Sequence, residues 1–304
     1  MSLGSSSNAR SSLHVEMSWW AMMGLGEHGQ EWSDEEKFKQ IADAGFNGIN
    51  GYMPAPQEQE ELVRRLDQYG LSFSITANVR SVVQLERLLQ DAADFGRIDY
   101  VNVHVPGPYI EGEAAAQLIS DMIACGHKSG IPVYIETHRG MVTQDLLRTV
   151  QLVERLPELR LTVDFSHYVV AGELTMIPEE SERMLQQLLP HTSSIHARVS
   201  NGEQIQVDVG PDGEHPMLEH YIRWWGTGMK HWRQNHAEGS SFPFVCELGP
   251  SSYAMTTSGD RDPQVEISDR WSQSLYFMRL ARLIWFSLDA ETPQEHVIDV
   301  TFFL

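Results

Sequence analysis

The chain has 304 residues, enough for one large α/β barrel or two ordinary domains. Its 42 Asp and Glu against 22 Lys and Arg give a formal net charge of −20, which argues against surfaces that track a phosphate backbone or an anionic membrane. Two cysteines, Cys125 and Cys246, far apart and in apolar surroundings, offer no CxxC pattern or disulfide framework and fit a reducing cytoplasm.

The opening MSLGSSSNARSS, residues 1–12, is polar and Ser-rich, lacks the apolar segment of a signal peptide, and reads as a disordered tail or a cloning remnant. From residue 13 to 304 one theme recurs: a short β-rich run, a turn, then an amphipathic helical stretch. LHVEMSWW is a first strand; SDEEKFKQIADAGF follows as a helix with Ser33 as N-cap, Glu36 completing a capping box and Gly45 ending it. GINGYM, LSFSITANV and YVNVHVPG are strands two to four, each followed by a helical stretch; in the one after strand four, Leu118, Met122 and Ile123 mark the buried stripe. IPVYIETH is strand five, LRLTVDFSHYVV strand six, SSIHARVS strand seven and FPFVCELG strand eight. A long final helix, DRWSQSLYFMRLARLIWFSLDA, is placed to close the ring. Eight strand-then-helix units without a composition break predict a single-domain α/β (β/α)₈ TIM barrel. GLGEHG at 24–29 spells GxGxxG but neither directly follows the first strand nor opens its helix, and no GxxxxGK[ST] occurs, which leaves nucleotide binding without its main support. No apolar run reaches the roughly 18 residues of a membrane span.

In such a barrel the C-terminal strand ends converge on the active site. Those ends carry Glu136 and His138 on strand five, Asp164 and His167 on strand six, His196 and Arg198 on strand seven, and Glu247 on strand eight; strand four adds His104. Residues two apart on a strand share a face, so Glu136 goes with His138 and His196 with Arg198. Converging carboxylates at an apolar strand end repel one another unless a cation or a shared proton neutralises them. Glu136, Asp164, His196 and Glu247 are therefore the candidate ligands of one divalent metal. Three carboxylates and an imidazole suit Mn²⁺ first, then Mg²⁺, Co²⁺ or Zn²⁺.

Each residue taken singly has an ordinary alternative: a strand carboxylate usually faces solvent or pairs with a neighbouring cation. His104, His138 and His167 stand as substrate contacts, supports behind the ligands, or structural histidines. Arg198 either binds a substrate oxygen or pairs with the acidic cluster. Trp19 and Trp20 suit a sugar face or rim packing, and Trp224, Trp225 and Trp232, at helical spacing, suit a packing or dimer face. A homo-oligomer is compatible with that spacing.

The segments IETH at Glu136, DFSH from Asp164 to His167, His196 on strand seven and CELGP at Glu247 resemble the xylose-isomerase-like superfamily, which includes ketose 3-epimerases, inosose dehydratases and metal-dependent abasic-site endonucleases. The resemblance spans nearly the whole barrel and implies a metal held by Glu, Asp, His and Glu. The endonuclease branch adds further histidines and an Asp-x-His pair for three zinc ions. His104 and His167 fit part of that pattern, but strand three has no histidine, and Asp208, Asp212 and His215 form no Asp-x-His. The resemblance thus implies an isomerase or epimerase acting on a small carbohydrate, sugar phosphate or polyol, with a keto-polyol dehydratase and a zinc-dependent phosphodiesterase as alternatives. Glu136 and Glu247 would be the proton-transfer groups, while Arg198 and His167 orient substrate oxygens. Specificity is expected from the early loops MSWWAMMGLGEHGQEW and MPAPQEQE and from segment 201–216.

Overall fold

A computed structural model describes residues 11–27, 30–257 and 265–289. The tail expected over 1–12 lies, through residue 10, outside the described residues; Ser12 already belongs to the first strand. Eight strands form the barrel: β1 (Ser12–Ser18), β2 (Gly48–Gly51), β3 (Ser72–Asn78), β4 (Val101–His104), β5 (Val133–Glu136), β6 (Leu161–Val163), β7 (Thr192–Ala197) and β8 (Ser241–Cys246). Each pairs in parallel with the next, and β8 pairs with β1 to close the ring. Between the strands run α1 (Asp34–Ala44), α2 (Gln59–Tyr69), α3 (Val82–Phe95), α4 (Gly112–Ser129), α5 (Leu146–Arg155), α6 (Ser166–Ala171), α7 (Glu179–Leu188) and α8 (Met217–Asn235), and α9 (Arg270–Ser287) follows β8. This is a single-domain TIM barrel.

Local chemistry accounts for the boundaries. Ser33 accepts from the Glu36 amide while Glu36 accepts from the Ser33 amide at 2.7 Å, so the capping box opens α1, and Gly45 at φ 91° closes it where a side chain would be strained. In α4 the fully buried stripe is Ala115, Ile119 and Met122, with the expected Leu118 and Ile123 only partly buried at its flanks. Trp224, Trp225 and Trp232 are all core residues of the same chain. Residues Gly26–Glu27 and Gln30–Glu31 form a short antiparallel ribbon that no hydrophobic alternation announced.

Strand six ends earlier than its β-branched run suggested: β6 stops at Val163 and Ser166–Ala171 turns into a helix. The cause is Asp164, whose Oδ1 accepts both the Ser166 amide at 3.0 Å and the Ser166 hydroxyl at 2.5 Å. That side-chain bond gives the backbone an alternative to the ladder and starts a helical turn in place of more strand. A register shift between Leu161 and Thr162 adds to the irregularity beside β7.

Alternation sorts the barrel into two faces. Val15, Met17, Ile49, Phe73, Ile75, Val101, Val103, Ile135, Leu161, Val163, Ile195 and Phe244 belong to the hydrophobic core. The intervening residues, among them Glu16, Asn50, Ser74, Thr76, Asn102 and Glu136, are polar, buried and bonded to one another. A barrel of this kind ordinarily fills its interior with branched apolar side chains. Here a polar column leads up to the C-terminal rim.

Candidate metal centre

The strand ends deliver the chemistry to one rim. His104 ends β4 and Glu136 ends β5; Asp164 directly follows β6, His196 is next to last in β7, and Arg198 and Glu247 directly follow β7 and β8. All are buried except His104, which is partly exposed. Among the described residues, three groups of possible ligands each bring their atoms within 4.8 Å, and each contains Glu136: with His196 and Glu247, with Asp164 and His167, and with His104 and His138. His196 Nδ1 lies 3.3 Å from Glu136 Oε2 and 3.2 Å from Glu247 Oε2. His104 Nε2 is 2.7 Å from Glu136 Oε2. Arg198 links Asp164 to Glu247: its Nη2 is 3.2 Å from Asp164 Oδ2 and 2.6 Å from Glu247 Oε2.

Burial and mutual charge shape the protonation states. Burial alone would raise Glu136, but the charges of His104 and His196 beside it hold the carboxylate well below its ordinary range. Glu247 is likewise pushed up by burial and brought below its usual value by His196 and Arg198. For His196 burial favours the neutral ring, and Glu247 and Glu136 overcome it, raising the group to about 9. Asp164 is raised to about 6 by burial, against which Arg198 pulls down. His138 is lowered to about 4 by burial, and His167 is lowered well below its ordinary value by burial together with the charges of His138 and Arg198.

The donor set fits a divalent ion. Glu136 Oε1, His196 Nε2 and both ring nitrogens of His167 are buried without a hydrogen-bond partner among the described residues. Buried polar atoms are ordinarily paired, and carboxylate and imidazole atoms converging within 4.8 Å are the donors such an ion takes. Asp208, Asp212 and His215 belong to none of the three groups.

Beside the centre lies a cavity of about 160 Å³ whose walls include Trp20, Tyr52, His104, His138, Arg198, Glu247 and Tyr253. His138 packs at a tilt between His104 and His167, with ring centroids 4.6 and 3.7 Å away, and its Nε2 is 3.5 Å from the Tyr253 hydroxyl. Trp20 meets Tyr253 edge-on at 5.0 Å, whereas Trp19 packs against Phe38. Of the segments expected to set specificity, the first, whose residues 28 and 29 lie outside the described residues, supplies Trp20; the second adjoins Tyr52, and 201–216 is not among the residues lining this cavity.

Sequence reasoning missed Asn102 and Tyr253. Asn102 Nδ2 donates to Glu136 Oε2 and to Thr76 Oγ1, fixing the carboxylate from below. Its position two residues before His104 was a usable signal, since the two share a face of β4. Tyr253 sits in the loop after β8, where no periodicity constrains a side chain.

A (β/α)₈ barrel with carboxylates and histidines gathered at the C-terminal rim belongs to a class whose members are mostly enzymes. A family profile described as xylose isomerase-like TIM barrel matches residues 38–224, more than half of the chain, and the chain belongs to that family. Among solved structures, a xylose isomerase-like TIM barrel protein from Mycobacterium smegmatis in complex with magnesium superposes with a TM-score of 0.58 at 14% identity, covering 91% of this chain and 98% of that one. A D-allulose 3-epimerase from Methylomonas sp. gives 0.55 at 13% identity, with 92% and 99% covered. The probable 3-DHS dehydratase AsbF of Bacillus anthracis, involved in petrobactin synthesis, gives 0.54 at 14%, with 88% and 98% covered. At such identities the likeness is one of fold. A search of curated protein sequences finds no match. Among the described residues no helix is long and apolar enough to cross a membrane.

Proposed function

We propose that the protein is a metal-dependent isomerase or epimerase of a small sugar, sugar phosphate or polyol, with Glu136, Asp164, His196 and Glu247 as the ligand set and Mn²⁺ or a similar divalent ion as cofactor. The observation that carries this reading is the approach of two carboxylates, Glu136 from β5 and Glu247 from β8, to the same His196 nitrogen beside a cavity large enough for a small polar molecule. A bound divalent ion would supply Lewis-acid polarisation of a substrate carbonyl. Glu247, which lines the cavity and is held ionised, removes the proton from the carbon next to that carbonyl. Glu136, gripped by Asn102 and itself ionised, would take up a proton from His104 at 2.7 Å and pass it back from the other side. Tyr253 and Trp20 form an aromatic wall that excludes water from the reacting carbon.

A second reading, dehydration of a keto-polyol, shares the first proton removal. The pairing of His138 with Tyr253 on the cavity wall favours it, since it offers a proton to a departing hydroxyl.

The test is turnover of a panel of ketoses and inososes in D₂O, followed by mass spectrometry and NMR. Deuterium at the carbon next to the carbonyl in a product of unchanged formula supports epimerisation; loss of water supports dehydration. Glu136→Gln and Glu247→Gln should each lower the rate by about 10²–10⁴-fold. If both variants keep wild-type turnover, the two-carboxylate mechanism is wrong.

A further inference from the structure

Arg198 is an unusual occupant of a centre expected to hold a divalent ion. It lies two residues past His196, so strand alternation sends both side chains into the barrel. It is 1% exposed, and its Nη2 takes hold of Glu247 Oε2, the same oxygen that lies 3.2 Å from His196 Nδ1. Its Nε and Nη2 both face Asp164 Oδ2, at 3.3 and 3.2 Å. The guanidinium is braced by the Tyr253 ring at 4.6 Å and the Trp20 ring at 5.6 Å. Two of the four expected ligand residues therefore already spend a carboxylate oxygen on a fixed positive charge.

We propose that Arg198 is a resident cation that competes with the divalent ion for Glu247 and Asp164 and so holds the affinity of the centre down. The inference rests on the reading of this rim as a metal site. A carboxylate oxygen that accepts a charge-assisted hydrogen bond at 2.6 Å has less to offer a second cation, and the guanidinium charge opposes an incoming ion directly. Arg198 also balances Asp164 and Glu247 when no ion is bound, which keeps buried like charges from destabilising the ion-free protein. The arrangement exchanges metal affinity for an ion-free state that stays folded.

The experiment compares the wild-type protein with Arg198→Gln and Arg198→Lys, by isothermal titration with MnCl₂ and by thermal unfolding with EDTA or with MnCl₂. Arg198→Gln is expected to bind Mn²⁺ about tenfold or more tightly than wild type. It should melt earlier in EDTA and gain more from Mn²⁺, whereas Arg198→Lys, which keeps the charge, stays near wild type. The pair Asp164→Asn and Asp164→Asn/Arg198→Gln repeats the comparison with one buried charge fewer, should Arg198→Gln alone not fold. Its double variant is expected to bind the more tightly. If Arg198→Gln binds Mn²⁺ as wild type does or more weakly, the proposal is overturned while the metal reading stands. If neither protein binds Mn²⁺, both are overturned. Binding by Arg198→Gln alone supports the competition and contradicts a metal-dependent wild-type enzyme.

Discussion

Glu16 lies inside the barrel, 2% exposed, and its Oε2 accepts from Ser74 Oγ at 2.5 Å and from Tyr100 OH at 3.0 Å. Burial raises its carboxyl from 4.5 to about 7, against the lowering effect of those two bonds. A raised folded-state pKa means that the fold binds this proton more tightly than the unfolded chain does. The group's stabilising contribution is complete below pH 4.5, falls as pH rises, and is lost above about 7. At about 1.4 kcal/mol per pH unit, the interval from 4.5 to about 7 amounts to about 3 kcal/mol. Glu16→Gln keeps an oxygen for Ser74 and Tyr100 and removes the titration. Relative to wild type it should therefore gain about 3 kcal/mol between pH 4.5 and 8. With roughly 2 °C of melting temperature per kcal/mol for a chain of this size, the variant's Tm relative to wild type should rise by about 6 °C across that range in differential scanning calorimetry. A difference that stays constant with pH would show that Glu16 does not change protonation there, and the account of the polar column would fail.

Three other outcomes follow from the geometry. A Cβ at Gly249 would sit 2.1 Å from the Trp20 ring, so Gly249→Ala should displace that wall of the cavity and raise KM for any accepted substrate severalfold while Tm falls only by a few degrees; unchanged KM would place Trp20 outside the substrate's reach. Arg270 of α9, 2% exposed, donates to the carbonyls of Ala21, Met23 and Leu248 and pairs with Glu266. Arg270→Met should cost about 2–4 kcal/mol and speed amide exchange in residues 19–25, and exchange no faster than wild type there would contradict its role as the tie between the rims of β1 and β8. Asn102→Asp places a second carboxylate against Glu136 where an amide now donates. Turnover should fall at least tenfold if the Glu136 orientation matters, and wild-type turnover would remove Asn102 from the site.

The fold was legible because most strands carried their own alternation and helices such as α1, α3, α5 and α9 their own N-caps. Ser33, Glu36 and Gly45 announce α1 without tertiary help. Where propensity and a side-chain bond conflicted, propensity misled: the YVV of strand six belongs to a helix because Asp164 captures Ser166. The rim residues could be read one strand at a time, since a strand's last inward residue must reach the same end of the barrel. Which atoms meet there could not be read, because that depends on tilt and register between strands far apart in sequence. Hence the division of Asp164 from His196 and Glu247 by Arg198, and the support of Glu136 by Asn102, emerged only from the structure. The chain Glu16, Ser74, Asn50, Thr76, Asn102, Glu136 likewise joins residues of β1 to β5 that no single segment displays together.

The most direct test of the metal reading is equilibrium dialysis of the wild-type protein and of Glu136→Gln against millimolar MnCl₂, followed by elemental analysis. All three groups of possible ligands share Glu136, so the account predicts about one Mn²⁺ per chain in the wild type and none above background in the variant. A wild type that takes up no ion, or a Glu136→Gln variant that retains it, would contradict the account.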